Sequence, residues 1–364
     1  MMTLFTLGPV EMYPDTMELG GCQVPYFRVP EFSAMMLENE QLIQKFSGAG
    51  PHDRTVFLTA SGTGAMEATV MNCLTAQDKA LVIVGGTFGR RFVDICQVHG
   101  IPYEALELEF GQELTEDMLA PYAGGNYSAL LVNIHETSVG HLYDAHLLSR
   151  FCRDNGLLFV VDAISSFLAD PIDMTALGID ALIGSSQKAL ALAPGASFVV
   201  LSERMLDGRI VGSKRSSVYF DFNDHLRNGE RGQTPFTPAV QVLIQLNARL
   251  HALDVYGIEA EINRIQEVAS DFRQRIGSLP VDVPKYNLSN ATTPLLFRTP
   301  CAGIVFDRMR FEHEVVLTPS GGELGERMLR VGHLGNHTTT ENAHVVEVLA
   351  RVLEEVNPEN GIKV

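Results

Sequence analysis

Six short apolar runs without polar alternation, at residues 56–59, 80–84, 129–133, 157–162, 181–184 and 198–201, constrain the fold most tightly. Runs of Val, Leu and Ile that are apolar at every position suit strands covered on both faces, as in a mostly parallel sheet. Helical patterns fill gaps between them at 63–74, 89–99 and 145–155, the last closed by Gly156 as a helix C-terminus prefers. Alternating strand and helix predicts an α/β layer with right-handed crossovers. After Leu201 the rhythm stops. A Gly- and Pro-containing stretch at 227–238 leads into long helical patterns at 239–253 and 258–276, then segments broken by Pro284, Pro294, Pro300 and Pro319. The expected organisation is an N-terminal arm over 1–20, a large α/β domain over 21–250 and a smaller α+β domain over 251–364.

The 364 residues are 46% hydrophobic and 20% charged, which excludes disorder as the main state. Lys plus Arg number 27 and Asp plus Glu 44, a net charge of −17 that argues against nucleic acid and anionic membrane surfaces as partners. Five scattered cysteines without a C-x-x-C pair read as reduced thiols. The N-terminus lacks a basic region followed by an apolar run, and no segment has the length of a membrane span, so a soluble cytoplasmic protein is expected.

Three constellations carry chemistry. The first, residues 59–68 with Ser61-Gly62-Thr63-Gly64 among them, follows a strand and opens a helix, where small residues and free N–H groups favour a phosphate. It is neither a Walker A loop nor a dinucleotide fingerprint, and a plain strand-to-helix turn has similar composition. The second is Asp162, which ends a strongly apolar strand; ligands bind at such ends in open α/β sheets, although an N-cap is the commoner fate of such an Asp. The third is Lys188, the only charged residue between Asp180 and Glu203. Its apolar setting disfavours the ammonium and leaves a nucleophilic amine suited to a Schiff base. A phosphate cradle, a strand-terminal carboxylate and a secluded lysine together match the needs of pyridoxal phosphate: an anchor, a partner for the ring nitrogen and a covalent tether.

With these features the chain resembles a fold-type I, class V aminotransferase of the alanine–glyoxylate, serine–glyoxylate and 2-aminoethylphosphonate–pyruvate transaminase group. The resemblance runs from Leu7-Gly8-Pro9 to the segment around Arg330, and is most specific at Ser185-Ser186-Gln187-Lys188 with Pro194-Gly195. It implies a large mostly parallel sheet domain with a smaller C-terminal α+β domain. It implies that Lys188 holds the cofactor covalently, with Gln187 and Gly62-Thr63-Gly64 near its phosphate. Phe88 is implied to stack on the ring, Ile164 to pack on the opposite face, and Thr137 to reach the phenolic oxygen. Arg330 resembles the family's carboxylate-binding arginine, whose fork a lysine would not reproduce; His333 nearby reads as structural. Thr234, with Arg231 as a weaker candidate, resembles a residue that crosses a dimer interface to the partner's phosphate, which implies an obligate homodimer with shared active sites. Two departures stand out: Phe27 replaces the family's His before Arg28, and Arg90 adds a charge beside Arg91. Arg90, Arg91, Lys214 and Arg215 are charges that a phosphonate could use, with solvated surface charges as the equal alternative.

The leading expectation is ping-pong transamination from a small amino donor (alanine, serine or 2-aminoethylphosphonate-like) to glyoxylate or pyruvate. A cysteine-desulfurase-like lyase is the enzymatic alternative; such enzymes typically carry His at the positions held here by Gln187 and Phe88. A non-catalytic protein that binds pyridoxal phosphate is the alternative of another class.

Overall fold

All six apolar runs become strands of one seven-stranded sheet in the computed structural model, which describes residues 2–214 and 216–356. Arg215 and residues 357–364 of the expected C-terminal domain lie outside the described residues. In sheet order the strands are Arg54–Leu58, Ser197–Leu201, Ala181–Ser185, Leu158–Asp162, Ala129–Asn133, Ala80–Val84 and Tyr103–Glu107. Neighbours are parallel, except that Ser197–Leu201 runs antiparallel to both of its own. The five inner strands are buried at every position.

Successive residues of these strands feed two different cores, because side chains alternate across a sheet. Leu81, Ile83, Leu130, Val132, Phe159 and Val161 pack against the face covered by the helices Pro30–Ser47, Ala145–Asp154 and Val240–Tyr256. Val82, Val84, Leu131, Val160 and Ile183 pack on the other face, under Gly62–Cys73 and Thr87–Val98. Local chemistry sets the helix ends. Pro30 opens the helix Pro30–Ser47 and Gly48 closes it at φ 64°. Asp144 accepts from the N–H groups of His146 and Leu147 at the start of Ala145–Asp154.

The strand Tyr103–Glu107 is absent from the sequence reading. It occupies the sheet edge, with Glu104 and Glu107 exposed, so it lacks the apolar run that marks a central strand. Lys79 pairs with Glu104 at 2.7 Å and Arg90 with Glu107 at 2.5 Å. Charges along this edge disfavour pairing with another sheet.

A second sheet, antiparallel throughout, is ordered Val281–Asp282, Thr292–Phe297, Met328–Gly332, Thr318–Pro319. Its core joins Leu295, Val331 and Phe272 to Val305 and Leu349 of the helices Ala302–His313 and Thr339–Val356. The first residues of the chain belong to this core: Thr3–Leu4 pairs in parallel with Val315–Val316, and Phe5 is fully buried. From there Leu7 and Gly8 run across the carboxyl ends of the large sheet, where Leu7 O accepts from Lys188. No helix among the described residues is long and apolar enough to cross a membrane.

Candidate active site

A cavity of about 220 Å³ opens at the carboxyl ends of the large sheet. Every strand that serves it ends in a functional turn, the place where open α/β sheets bind ligands. Asp162 ends Leu158–Asp162, and Gln187 and Lys188 follow Ala181–Ser185. His135 and Thr137 follow Ala129–Asn133, and Phe88 follows Ala80–Val84. Ser61 precedes the helix Gly62–Cys73. Of the expected residues, Ser61, Gly62, Thr63, Phe88, Thr137, Asp162, Ile164, Gln187 and Lys188 all line this one cavity.

Steric fit explains the glycines here. A Cβ on Gly62 would lie 2.3 Å from Ile164 Cδ1, so the helix start and Ile164 can meet only through a glycine. A Cβ on Gly8 would lie 2.9 Å from Lys188 Cδ, which makes Gly8 the residue that lets the N-terminal segment cross the lysine stem. Gly64 sits one turn into the helix against Ala60 and Phe220 rather than at the cavity wall.

The lysine amine donates to Leu7 O. Burial pushes Lys188 down to about 8; the charges of Arg330 and Arg91 add to this, while Asp162 opposes it. Burial pushes Asp162 up to about 7, against the Ile164 N–H that donates to Oδ1 at 2.8 Å and the nearby Lys188. A buried carboxylate so short of donors is poised for a cationic partner. Burial, followed by the charge of Lys188, holds His135 neutral, with its pKa pushed down to about 3. Thr137 Oγ1 and Ser165 Oγ are 3.0 Å apart, and Ser185 Oγ donates to Gln187 Oε1 at 2.5 Å.

Arg330 lies in a neighbouring cavity of about 490 Å³, divided from the first by Phe88, which lines both. Its Nη1 donates to Thr137 O at 3.0 Å and its Nη2 to Pro319 O at 2.6 Å. Its Nε is buried without a partner among the described residues. Burial pushes this guanidinium down to about 10, opposed by Glu136.

The structure separates the two arginines left unassigned by sequence. Arg90 pairs with Glu107 at the exposed edge. Arg91 lines the cavity, donates to Thr63 Oγ1 at 2.9 Å and lies over the Phe88 ring at 4.8 Å. Its spacing from Phe88, one turn of the helix Thr87–Val98, was the signal available in sequence. Gly8, His135 and Ser165 carry no role in the sequence reading, because no local pattern ties them to Lys188.

Thr234 is not brought to this cavity by its own chain. It lines another, with Gln233, Thr55 and Glu40, and its hydroxyl donates to Phe236 O at 2.7 Å. Arg28 fixes this segment by donating to Gln233 Oε1, Thr234 O and Pro235 O, and Phe27 packs on Phe32. Arg231 donates to Asn228 and is exposed. His333 is fully buried, with Nε2 2.8 Å from Thr293 Oγ1.

A family model described as aminotransferase class-V matches residues 27–294. The chain belongs to this family. As a class V aminotransferase it depends on pyridoxal phosphate, and the residues of the smaller cavity fit that group. They combine a buried amine that makes no close ion pair among the described residues, a donor-poor buried carboxylate and a glycine-bearing helix start.

Among its relatives, a protein of Anabaena cylindrica named soluble hydrogenase 42 kDa subunit is 28% identical over 342 residues, 92% of this chain and 88% of that one. Serine–glyoxylate aminotransferase of Hyphomicrobium methylovorum is 26% identical over 347 residues, 91% of this chain and 84% of the relative. A subgroup IV aspartate aminotransferase from Thermus thermophilus has a solved structure that superposes with a TM-score of 0.90 at 26% identity, covering 97% of this chain and 99% of that one. That likeness bears out fold-type I for this class V aminotransferase. Among the described residues no cluster of three or more His, Cys, Asp or Glu could hold a metal ion.

Proposed function

We propose that this aminotransferase moves an amino group from a small amino donor to glyoxylate or pyruvate in a ping-pong cycle. The observation that carries the reading is the convergence of Lys188, Asp162 and the helix start at Ser61–Thr63 on one cavity, with Arg330 beyond Phe88. When bound there, pyridoxal phosphate supplies an electron sink for a carbanion at the substrate α-carbon.

Ser61, Gly62, Thr63 and Gln187, with Arg91 beside them, would hold its phosphate at the start of the helix Gly62–Cys73. Asp162 would hold a proton on the ring nitrogen, and the ionised carboxylate is then stabilised by the charge it meets. Phe88 and Ile164 would enclose the ring, and Thr137 Oγ1 would donate to its phenolic oxygen. Lys188 Nζ, with its pKa lowered to about 8, keeps a free-amine fraction near neutral pH that would act as nucleophile, and would take a proton from the substrate α-carbon and return it to the carbon two atoms away.

Arg330 would bind the substrate carboxylate, using the Nε–H that has no partner among the described residues. It is the one guanidinium of its cavity among the described residues, so donor and acceptor carboxylates compete for it. A single carboxylate site admits one of them at a time, as a ping-pong order requires. Thr234 would serve the site of a second copy, making the protein an obligate homodimer; its distance from its own chain's cavity supports this assignment.

The test is the absorption spectrum of the purified protein during titration with a panel of amino donors. A visible cofactor band that bleaches with one donor and returns with glyoxylate or pyruvate is the expected result. A band indifferent to every donor and oxo acid would refute transamination.

A further inference from the structure

Glu136 is a wholly buried carboxylate that the reading above leaves without a task. It forms no ion pair with a Lys, Arg or His among the described residues, yet both of its oxygens are fully engaged. Oε1 accepts from Phe88 N at 3.3 Å, Ser138 N at 3.1 Å and Ser138 Oγ at 2.5 Å. Oε2 accepts from Gly89 N at 2.9 Å and Asn133 Nδ2 at 3.0 Å. The helix Thr87–Val98 has Gly86 at its N-cap and no capping side chain of its own. Glu136, 47 residues away from Gly89, takes that place, where a negative charge is favoured by the helix dipole. Ser138 completes the clamp by accepting from Thr87 N at 3.1 Å. A Cβ on Gly86 would lie 2.2 Å from Ser138 Oγ and 2.7 Å from Glu136 Cδ, so the turn admits only glycine.

The two segments joined by this clamp carry opposite parts of the site. The helix start holds Phe88, the wall between the two cavities, and Arg91 one turn later. The segment after Glu136 holds Thr137, which lines the smaller cavity and whose carbonyl oxygen anchors Arg330. We propose that Glu136 is a positioning residue: its buried carboxylate sets the separation between the Phe88 wall and the Thr137–Arg330 wall, and so the fit of cofactor ring and substrate carboxylate. This rests on the placement of cofactor and carboxylate given above. The charge of Glu136 also opposes the desolvation of Arg330.

Glu136→Gln isolates the effect, because an amide presents one acceptor where the carboxylate presents two. Asn133 Oδ1 lacks a partner among the described residues and can turn to receive the new N–H, which leaves the Gly89 N–H facing a donor. The experiment measures folded holoenzyme loaded with pyridoxal phosphate, by visible circular dichroism per bound cofactor and by steady-state kinetics with glyoxylate. Loss of a charged acceptor predicts a visible band reduced by about half or more, and a KM for glyoxylate raised about tenfold. A helix cap with no role in positioning would lower the unfolding midpoint and leave both readings unchanged. Ser138→Ala removes one donor to the same carboxylate and the acceptor of Thr87 N; it is expected to shift both readings the same way by a smaller factor. It decides the matter should Glu136→Gln fail to fold. Wild-type band and KM in the folded variants overturn the inference. A wild-type protein with no visible band overturns the cofactor assignment, and this inference with it.

Discussion

Asp162→Asn should make the cofactor-free protein more stable while removing most of its turnover. In the structure the Asp162 carboxyl is 6% exposed, and burial raises its pKa from the ordinary 3.8 to about 7. Below pH 3.8 the carboxyl is protonated in both folded and unfolded chains, and the site contributes no pH dependence. Between 3.8 and about 7 the unfolded chain has released the proton that the folded chain still holds, so stability falls as pH rises. Above about 7 the whole penalty is present, about 4 kcal/mol at about 1.4 kcal/mol per decade. Asparagine keeps an acceptor for the Ile164 N–H and carries no charge. It also withdraws the support that Asp162 gives the Lys188 ammonium, which offsets part of the gain. The expected gain is therefore roughly 2–4 kcal/mol at pH 8, shrinking towards zero near pH 4. The assay is urea unfolding of cofactor-free wild type and variant across that range, at one protein concentration. A difference that stays constant with pH, or a variant less stable at pH 8, would refute the reasoning. Adding pyridoxal phosphate should then stabilise wild type more than the variant, since only the carboxylate can pair with a protonated ring nitrogen.

Further outcomes follow from other parts of the site. Lys188→Ala should abolish borohydride trapping of the cofactor on the protein; mass-spectrometric detection of trapped cofactor on another lysine would displace the assignment. With its pKa near 8, the Lys188 amine of cofactor-free protein should combine with pyridoxal phosphate about tenfold faster per pH unit up to that value and level off above it, as followed by the visible band. Arg330→Lys should raise the KM for the oxo acid by a factor of roughly ten to a hundred, because an ammonium loses the bidentate fork; an unchanged KM would move the carboxylate site elsewhere. Gly62→Ala should weaken cofactor binding and cost roughly 1–3 kcal/mol of stability, since its Cβ meets Ile164 Cδ1 at 2.3 Å. In equilibrium dialysis and urea unfolding, Ile164→Ala in the same chain should restore part of both losses.

The sequence by itself determined the layers of the large domain. Strands such as Ala129–Asn133 and Leu158–Asp162 are buried on both faces, and that burial is written directly into unbroken apolar runs. It also exposed Lys188 and Asp162, because a lone charge in an apolar setting is conspicuous on one dimension. The constellation of nine expected residues around one cavity follows from strands that end together, a consequence of parallel topology. The tertiary structure alone decided the rest. It placed the polar edge strand Tyr103–Glu107, whose exposed face erases the apolar run. It separated Arg91 from Arg90, set Thr234 apart from its own chain's site, and buried Glu136 under a helix start 47 residues distant. Local periodicity records how deeply each element is buried. It cannot record which distant donor a carboxylate meets, since that depends on contacts made only after the sheet has brought its loops together.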